Sequence, residues 1–184
     1  MILHKGTSSI ETVRLILRKF ELQDANDMFN NWSSDPEVLK YLPWGPHENV
    51  SVTERKVKSW VESYAYDNTY NWAIYLKGRN QVIGSISAEI LNDPNNSCEV
   101  GYCIGKEFWG QGIMTETLRA IMHYLFYEIG YRKITARHDV LNIASGRVMQ
   151  KVGMHFDKVL YHVSLRRDKS FCDVAVYVKK ITDD

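Results

Sequence analysis

Apolar residues in the second half of the chain recur with a helical period: Leu118, Ile121, Met122, Leu125, Phe126 and Ile129 fall at i, i+3, i+4, i+7, i+8 and i+11, and Gly130 follows as a stop. This spacing predicts a long amphipathic helix. Residues 13–20 mix β-branched, aromatic and basic side chains with partial alternation, which predicts a first strand. Leu22, Ala25, Met28, Phe29 and Trp32 then share one face of a helix over residues 22–32. Ser51 and Glu54 have the spacing of a capping box and open a second helix with Val57, Trp60, Val61 and Tyr64 on one side. Residues 71–76 and 81–91 are strand-like about a turn at 77–80, so an antiparallel hairpin is expected.

A turn over residues 93–96 leads into a strand over 97–104, whose alternation sets Cys98, Val100, Tyr102 and Ile104 on one face and Ser97, Glu99, Gly101 and Cys103 on the other. Residues 133–140 form another predicted strand, and 142–152 a short helix ended by Gly153. Two strands, near 156–164 and 171–179, flank a turn at 166–169. Strand, glycine-rich turn, helix, strand is an α/β unit, whereas the flanking hairpins require antiparallel pairing. The expected fold is therefore α/β in the α+β sense: a mixed, mostly antiparallel central sheet covered by helices.

Composition narrows this picture only slightly. A chain of 184 residues with 45% hydrophobic and 24% charged residues fits one globular domain, 1–184, with a core that needs no staples. Net charge is +1, which gives no broad positive field for nucleic acid. Cys98, Cys103 and Cys172 lack paired spacing and a His/Cys cluster, so neither a disulfide framework nor a metal site is expected, and a reducing cytoplasmic setting fits. The first residues are broken by His4, Lys5, Glu11 and Arg14, unlike a signal peptide, and no run approaches the length of a membrane span.

Two segments can carry chemistry. The first is the junction Phe108-Trp109-Gly110-Gln111-Gly112-Ile113-Met114-Thr115, where glycines precede a helix start whose free amides and partial positive charge suit a pyrophosphate. The same glycines can serve only to turn the chain. The second is the helix that opens at Asn142-Ile143-Ala144-Ser145 and closes near Gly153-Met154, in which Asn142 or Ser145 can act simply as a cap. Their order and separation resemble the GCN5-related N-acetyltransferases (GNAT), and the stretches 11–18, 41–47, 99–102 and 173–177 are similar to the Rim-type ribosomal-protein N-terminal acetyltransferases within that family.

That resemblance implies the GNAT fold, with helices on both faces of the sheet, and an acetyl-coenzyme A substrate. The turn at Trp109, Gly110, Gln111, Gly112, Ile113 and Met114, with Thr115 beside it, would hold the pyrophosphate. The strand edge at Tyr102, Cys103 and Ile104 would pair with the pantetheine arm and supply an oxyanion donor, and Asn142 would bind the same arm. The turn departs from the family pattern at Glu107, an acid where a neutral or basic residue is usual, which leaves Lys106, Arg119 or Arg147 to balance phosphate charge. Glu99 is the candidate base. Family members often donate a proton to the leaving thiolate from a tyrosine seven residues after the asparagine; this chain has Met149 there, so Ser145 is the candidate donor or orienting group. No His neighbours Cys98 or Cys103, which argues against an acyl-cysteine and for direct transfer in a ternary complex. Trp44, His47 and Tyr161, with Arg166, can line the acceptor site. The leading acceptor is the α-amine of a protein such as a ribosomal protein, whose ordinary pKa near 8 asks less of a base than a lysine near 10.4. A polyamine, amino sugar or antibiotic is the second reading and a non-catalytic acyl-coenzyme A module the third. Nucleic acid and membrane are not expected as partners, and the state is monomer or homodimer.

Overall fold

The computed structural model describes residues 2–91, 96–166 and 170–181, so the expected turns at 93–96 and 166–169 lie outside the described residues except for Asn96 and Arg166. The described residues form strands β1 (Ile10–Glu11), β2 (Leu15–Arg18), β3 (Tyr70–Leu76), β4 (Gln81–Leu91), β5 (Ser97–Ile104), β6 (Lys133–Asp139), β7 (His155–Leu165) and β8 (Phe171–Lys180), with helices α1 (Asp24–Met28), α2 (Val50–Ser63), α3 (Ile113–His123) and α4 (Ile143–Lys151). The strands make one eight-stranded sheet in the order β1-β2-β3-β4-β5-β6-β8-β7. Every neighbouring pair is antiparallel except β5 with β6, which run parallel because α3 carries the chain back between them.

Alternation along the strands divides the core in two. Trp72, Ile86, Val100 and Ala136 face α3 and α4, where Leu118, Ile121, Met122 and Leu125 cover them. Ala73 and Val82 face the other way, under Phe20, Met28, Trp32 and Val57 of the α1 and α2 layer. Each fully buried side chain of this size contributes about 1.5–3 kcal/mol of transfer free energy. The sheet is thus covered on both faces.

Three elements differ in detail from the sequence pattern. The helix expected over 22–32 is a short α1 followed by a π-helical turn at Phe29–Ser33, where the Ser34 hydroxyl donates to the Phe29 carbonyl at 2.6 Å and competes for a helical acceptor. α2 is capped by Asn49, whose side chain accepts from the Val52 N–H at 3.3 Å, so the Ser51–Glu54 box lies inside the helix instead of opening it. The long apolar stripe is α3 plus a π-helical turn at Tyr124–Ile129, closed by Gly130 at φ 92°. That positive φ is the reason a glycine ends the element there.

Candidate active site

β5 and β6 part company halfway along. Residues 97–100 pair with 133–136, after which β5 continues to Ile104 beside β4 alone and β6 continues to Asp139 beside β8 alone. The Gly105 N–H bonds the Ile83 carbonyl, and the antiparallel ladder alternates, so the Cys103 amide faces β4 while the amides of Tyr102 and Ile104 face the gap. This narrows the expected oxyanion donor to Tyr102 or Ile104. The Ile104 carbonyl is occupied, since the Trp109 indole N–H donates to it at 3.0 Å.

At the end of this edge the chain turns through a 3-10 segment at Lys106–Phe108 and enters α3. Gly110 and Gly112 have φ of 74° and 73°, in the left-handed region, and no side chain caps the helix start. The amides of Ile113 and Met114 therefore begin a helix without intrahelical acceptors. A Cβ at Gly110 would meet nothing within 4 Å, so the turn presents open backbone, a surface that fits a pyrophosphate. Glu107 is turned aside into an ion pair with Arg79 at 2.9 Å, and Lys106 pairs with Glu37 at 3.3 Å. The cation attached to the turn is one the sequence did not suggest: Arg14 of the β1–β2 connection donates to the Gln111 carbonyl at 2.9 Å and pairs with Glu116 at 2.7 Å.

On the far side of the gap, Asn142 caps α4, its side chain accepting from the Ser145 N–H at 3.3 Å. The Asn142 N–H in turn donates to the Asp139 carbonyl at 2.7 Å, and the Asp139 carboxylate takes two hydrogen bonds from Arg166, at 2.6 and 3.0 Å. Arg166 thus braces the turn that carries Asn142. Met149, where many family members place tyrosine, is core at 1% exposure. A phenol nevertheless reaches this point from another element: the Tyr102 hydroxyl lies 3.0 Å from the Ser145 Oγ and donates to the Ser145 carbonyl at 3.0 Å, and burial pushes its pKa up to about 12. Arg147 stands two residues past Ser145, nearly opposite on the helical wheel, and lines a second cavity of about 320 Å³ with His138, Gln150 and Tyr177. Arg119 donates to the Lys151 carbonyl at 3.3 Å.

Glu99 is half-buried, and Arg137 of β6 pairs with it at 2.7 Å. Burial raises its pKa, Arg137 works in the opposite direction and Glu89 on the neighbouring strand adds to the rise; the net shift is upward. Cys98 and Cys103 are both pushed up to about 12 by burial, so neither is a ready nucleophile. A cavity of about 1070 Å³ adjoins Gly101, Tyr102 and Cys103 on the face of the sheet that carries α1 and α2. Trp32, Trp44, His47 and Trp60 wall it, and Asn71, Ser85, Ser87 and Glu89 form a polar floor. His47 bonds the Thr53 hydroxyl at 2.7 Å, and burial, then nearby Lys56, lowers its pKa. Tyr161 points elsewhere, 69% exposed on β7, and is not brought to this cavity. Among the described residues no group of His, Cys, Asp and Glu has a metal-holding arrangement, and no helix is long and apolar enough to cross a membrane.

The sequence matches the acetyltransferase (GNAT) domain over residues 14–155. The chain belongs to the GNAT acetyltransferase family. This GNAT chain is 28% identical over 152 residues to an uncharacterised N-acetyltransferase, p20, of Bacillus licheniformis, covering 83% of this chain and 85% of the relative. It is 23% identical over 158 residues to the ribosomal protein uS5 alanine N-acetyltransferase of Escherichia coli (strain K12), covering 83% and 79%. Its fold superposes on RimL, a ribosomal L7/L12 α-N-protein acetyltransferase in complex with coenzyme A, with a TM-score of 0.84, 20% identity and coverage of 96% and 100%. GNAT enzymes use acetyl-coenzyme A, and this chain is an N-acetyltransferase of that kind.

Within the GNAT frame, sequence reasoning missed Arg14, Arg137, the Tyr102 side chain and the whole cavity floor. Only the floor left a signal. Ser85, Ser87 and Glu89 alternate with Ile86, Ala88 and Ile90, the mark of a strand with a polar face in the interior of a sheet.

Proposed function

We propose that the protein acetylates the N-terminal α-amine of a protein, of the ribosomal-protein kind, by direct transfer from acetyl-coenzyme A in a ternary complex in the cytoplasm. The observation that carries this reading is the unpaired edge of β5: it runs from the uncapped start of α3, past Asn142 and Ser145, and borders the aromatic-walled cavity. A thioester laid along that edge would put its carbonyl beside an acceptor held in the cavity.

In this scheme the amides at Trp109–Met114 hold the pyrophosphate, and the outward amides of Tyr102 and Ile104 with Asn142 hold the pantetheine arm. The acceptor nitrogen forms a bond to the thioester carbon, and the N–H of Tyr102 or Ile104 stabilises the charge that develops on oxygen. Glu99 takes the amine proton directly or through water, aided by its raised pKa. The C–S bond then breaks, and the departing thiolate receives a hydrogen bond or proton from Ser145, which Tyr102 orients. No acyl-cysteine forms.

The test is release of free coenzyme A from acetyl-coenzyme A in the presence of short peptides with differing N-terminal residues, polyamines and aminoglycosides. Peptides are expected to be turned over best. A preference for polyamines or aminoglycosides replaces the acceptor by a small amine, and no release with any amine removes the catalytic reading.

A further inference from the structure

The floor of the large cavity holds a group that the proposed reaction does not use. Asn71 sits on β3 directly opposite Ser87 of β4 and is 8% exposed, and its side-chain nitrogen has no hydrogen-bond partner among the described residues. Its backbone is committed on both sides: the N–H donates to the Thr7 hydroxyl at 2.9 Å, and the carbonyl accepts from the Tyr64 hydroxyl at 2.8 Å. The residue is therefore fixed while its amide is free. A buried primary amide is ordinarily satisfied, and a half-turn about its last torsion brings either nitrogen or oxygen to the cavity. Such a group is suited to a ligand that carries an acceptor atom.

Glu89 supplies the second half of the pattern. It lies two residues along β4 from Ser87, on the same face and diagonal to Asn71, and lines the same cavity. Its carboxylate makes no ion pair among the described residues, whereas Glu99, directly opposite on β5, is closed by Arg137. Diagonal neighbours across a sheet stand roughly 7–8 Å apart at the backbone. Both side chains rise from the same face of the sheet into the cavity, so an amine and the carbonyl next to it can meet the two together.

Resting on the transferase reading above, we propose that Asn71 is a specificity residue that hydrogen-bonds the carbonyl oxygen adjacent to the acceptor amine, while Glu89 draws in the ammonium form. The site then selects α-amino carbonyl compounds, meaning peptide N-termini and amino-acid amides, over amines without a carbonyl. Asn71 is 8% exposed, which makes an unmatched amide there costly for a ligand lacking the oxygen.

The experiment compares kcat/KM, expressed per free-base amine, for L-alaninamide and isopropylamine, matched in branching and differing in the carboxamide, in the wild-type protein and in Asn71→Leu. The wild type is expected to favour alaninamide, and Asn71→Leu to lower its kcat/KM by about tenfold while changing isopropylamine less than about twofold. A parallel fall on both amines, or an unchanged value for alaninamide, overturns the proposal. Should Asn71→Leu fail to fold, the wild type is measured with alaninol, which replaces the carbonyl by a hydroxymethyl group; with kcat/KM expressed per free-base amine, a value equal to that of alaninamide overturns the proposal and a drop of about tenfold supports it. Acetylation of both amines without discrimination leaves the transferase reading standing and removes only the specificity claim, whereas no coenzyme A release from the wild type with any amine removes both.

Discussion

The hydroxyl of Tyr102 on β5 stands 3.0 Å from the Oγ of Ser145 on α4, across the gap where the sheet opens. The phenol hydrogen, within reach of both the Ser145 carbonyl and the Ser145 Oγ, holds the serine oxygen as an acceptor and leaves the serine's own hydrogen for the thiolate. Tyr102→Phe is expected to lower kcat by about tenfold at saturating acetyl-coenzyme A, and Ser145→Ala by about 10²-fold, read as thiol release. The double variant should be no worse than Ser145→Ala, because the tyrosine acts through the serine. The phenol titrates near 12, so it adds no limb to the pH profile below that value.

Glu99 gives a pH-dependent prediction. Its pKa lies above the ordinary 4.5, since burial outweighs the pull of Arg137. A base must be ionised, so turnover should fall as pH drops through this raised value and recover above it. Glu99→Gln should abolish that limb, with a deficit seen above the Glu99 pKa that shrinks below it, where the wild-type carboxyl is itself protonated, and again as pH approaches the pKa of the amine. Arg137→Met removes the opposing cation and should move the limb to higher pH. A pH–rate profile of kcat/KM for each variant decides the point, and identical profiles would remove Glu99 from the reaction.

Asp139 and Arg166 form a buried bidentate pair, and breaking it leaves an uncompensated charge. Arg166→Ala is expected to destabilise the fold by about 3–5 kcal/mol, measured by urea unfolding. Burial pushes the Asp139 carboxyl upward, but hydrogen bonds from Arg166 and the Leu141 N–H hold it below its ordinary 3.8. With a folded value below the unfolded one, the pair stabilises fully above pH 3.8, and its contribution is lost as pH falls through the lower folded value. The acid-unfolding midpoint of Arg166→Ala should accordingly rise.

Gly110→Ala separates backbone strain from ligand contact. No atom lies within 4 Å of the added methyl, so packing is not disturbed, and the φ of 74° sets a cost of about 1–2 kcal/mol in stability. The same methyl would stand where phosphate oxygens approach the amides. KM for acetyl-coenzyme A should therefore rise more than the thermal midpoint implies, and an unchanged KM would move the pyrophosphate away from this turn.

Local periodicity made much of this fold legible. The hairpin about residues 77–80, the alternation of β5 and the apolar stripe ending at Gly130 depend on side chains within a few positions of each other, and all three are present. The glycine turn and Asn142 were visible for the same reason. Arg137 beside Glu99 and Arg14 beside Gln111 were not, because those contacts depend on strand register and on the β1–β2 connection meeting a turn 97 residues later. Tyr161 misled because an aromatic in a late hairpin can face either way, and this one faces solvent. The polar floor required the pairing of Asn71 with Ser87 before its members could be seen as neighbours.

The four rungs that join 97–100 to 133–136, prolonged by the Arg132 N–H donating to the Asn96 carbonyl at 3.0 Å, stitch the five-stranded portion of the sheet to the three-stranded one. Beyond Val100 and Ala136 the molecule carries a built-in seam. A donor lying along both lips would act as a temporary ninth strand, extending the stitching toward Ile104 and Asp139. Slowed amide exchange on the inner edges of β5 and β6 should then accompany loading with acetyl-coenzyme A.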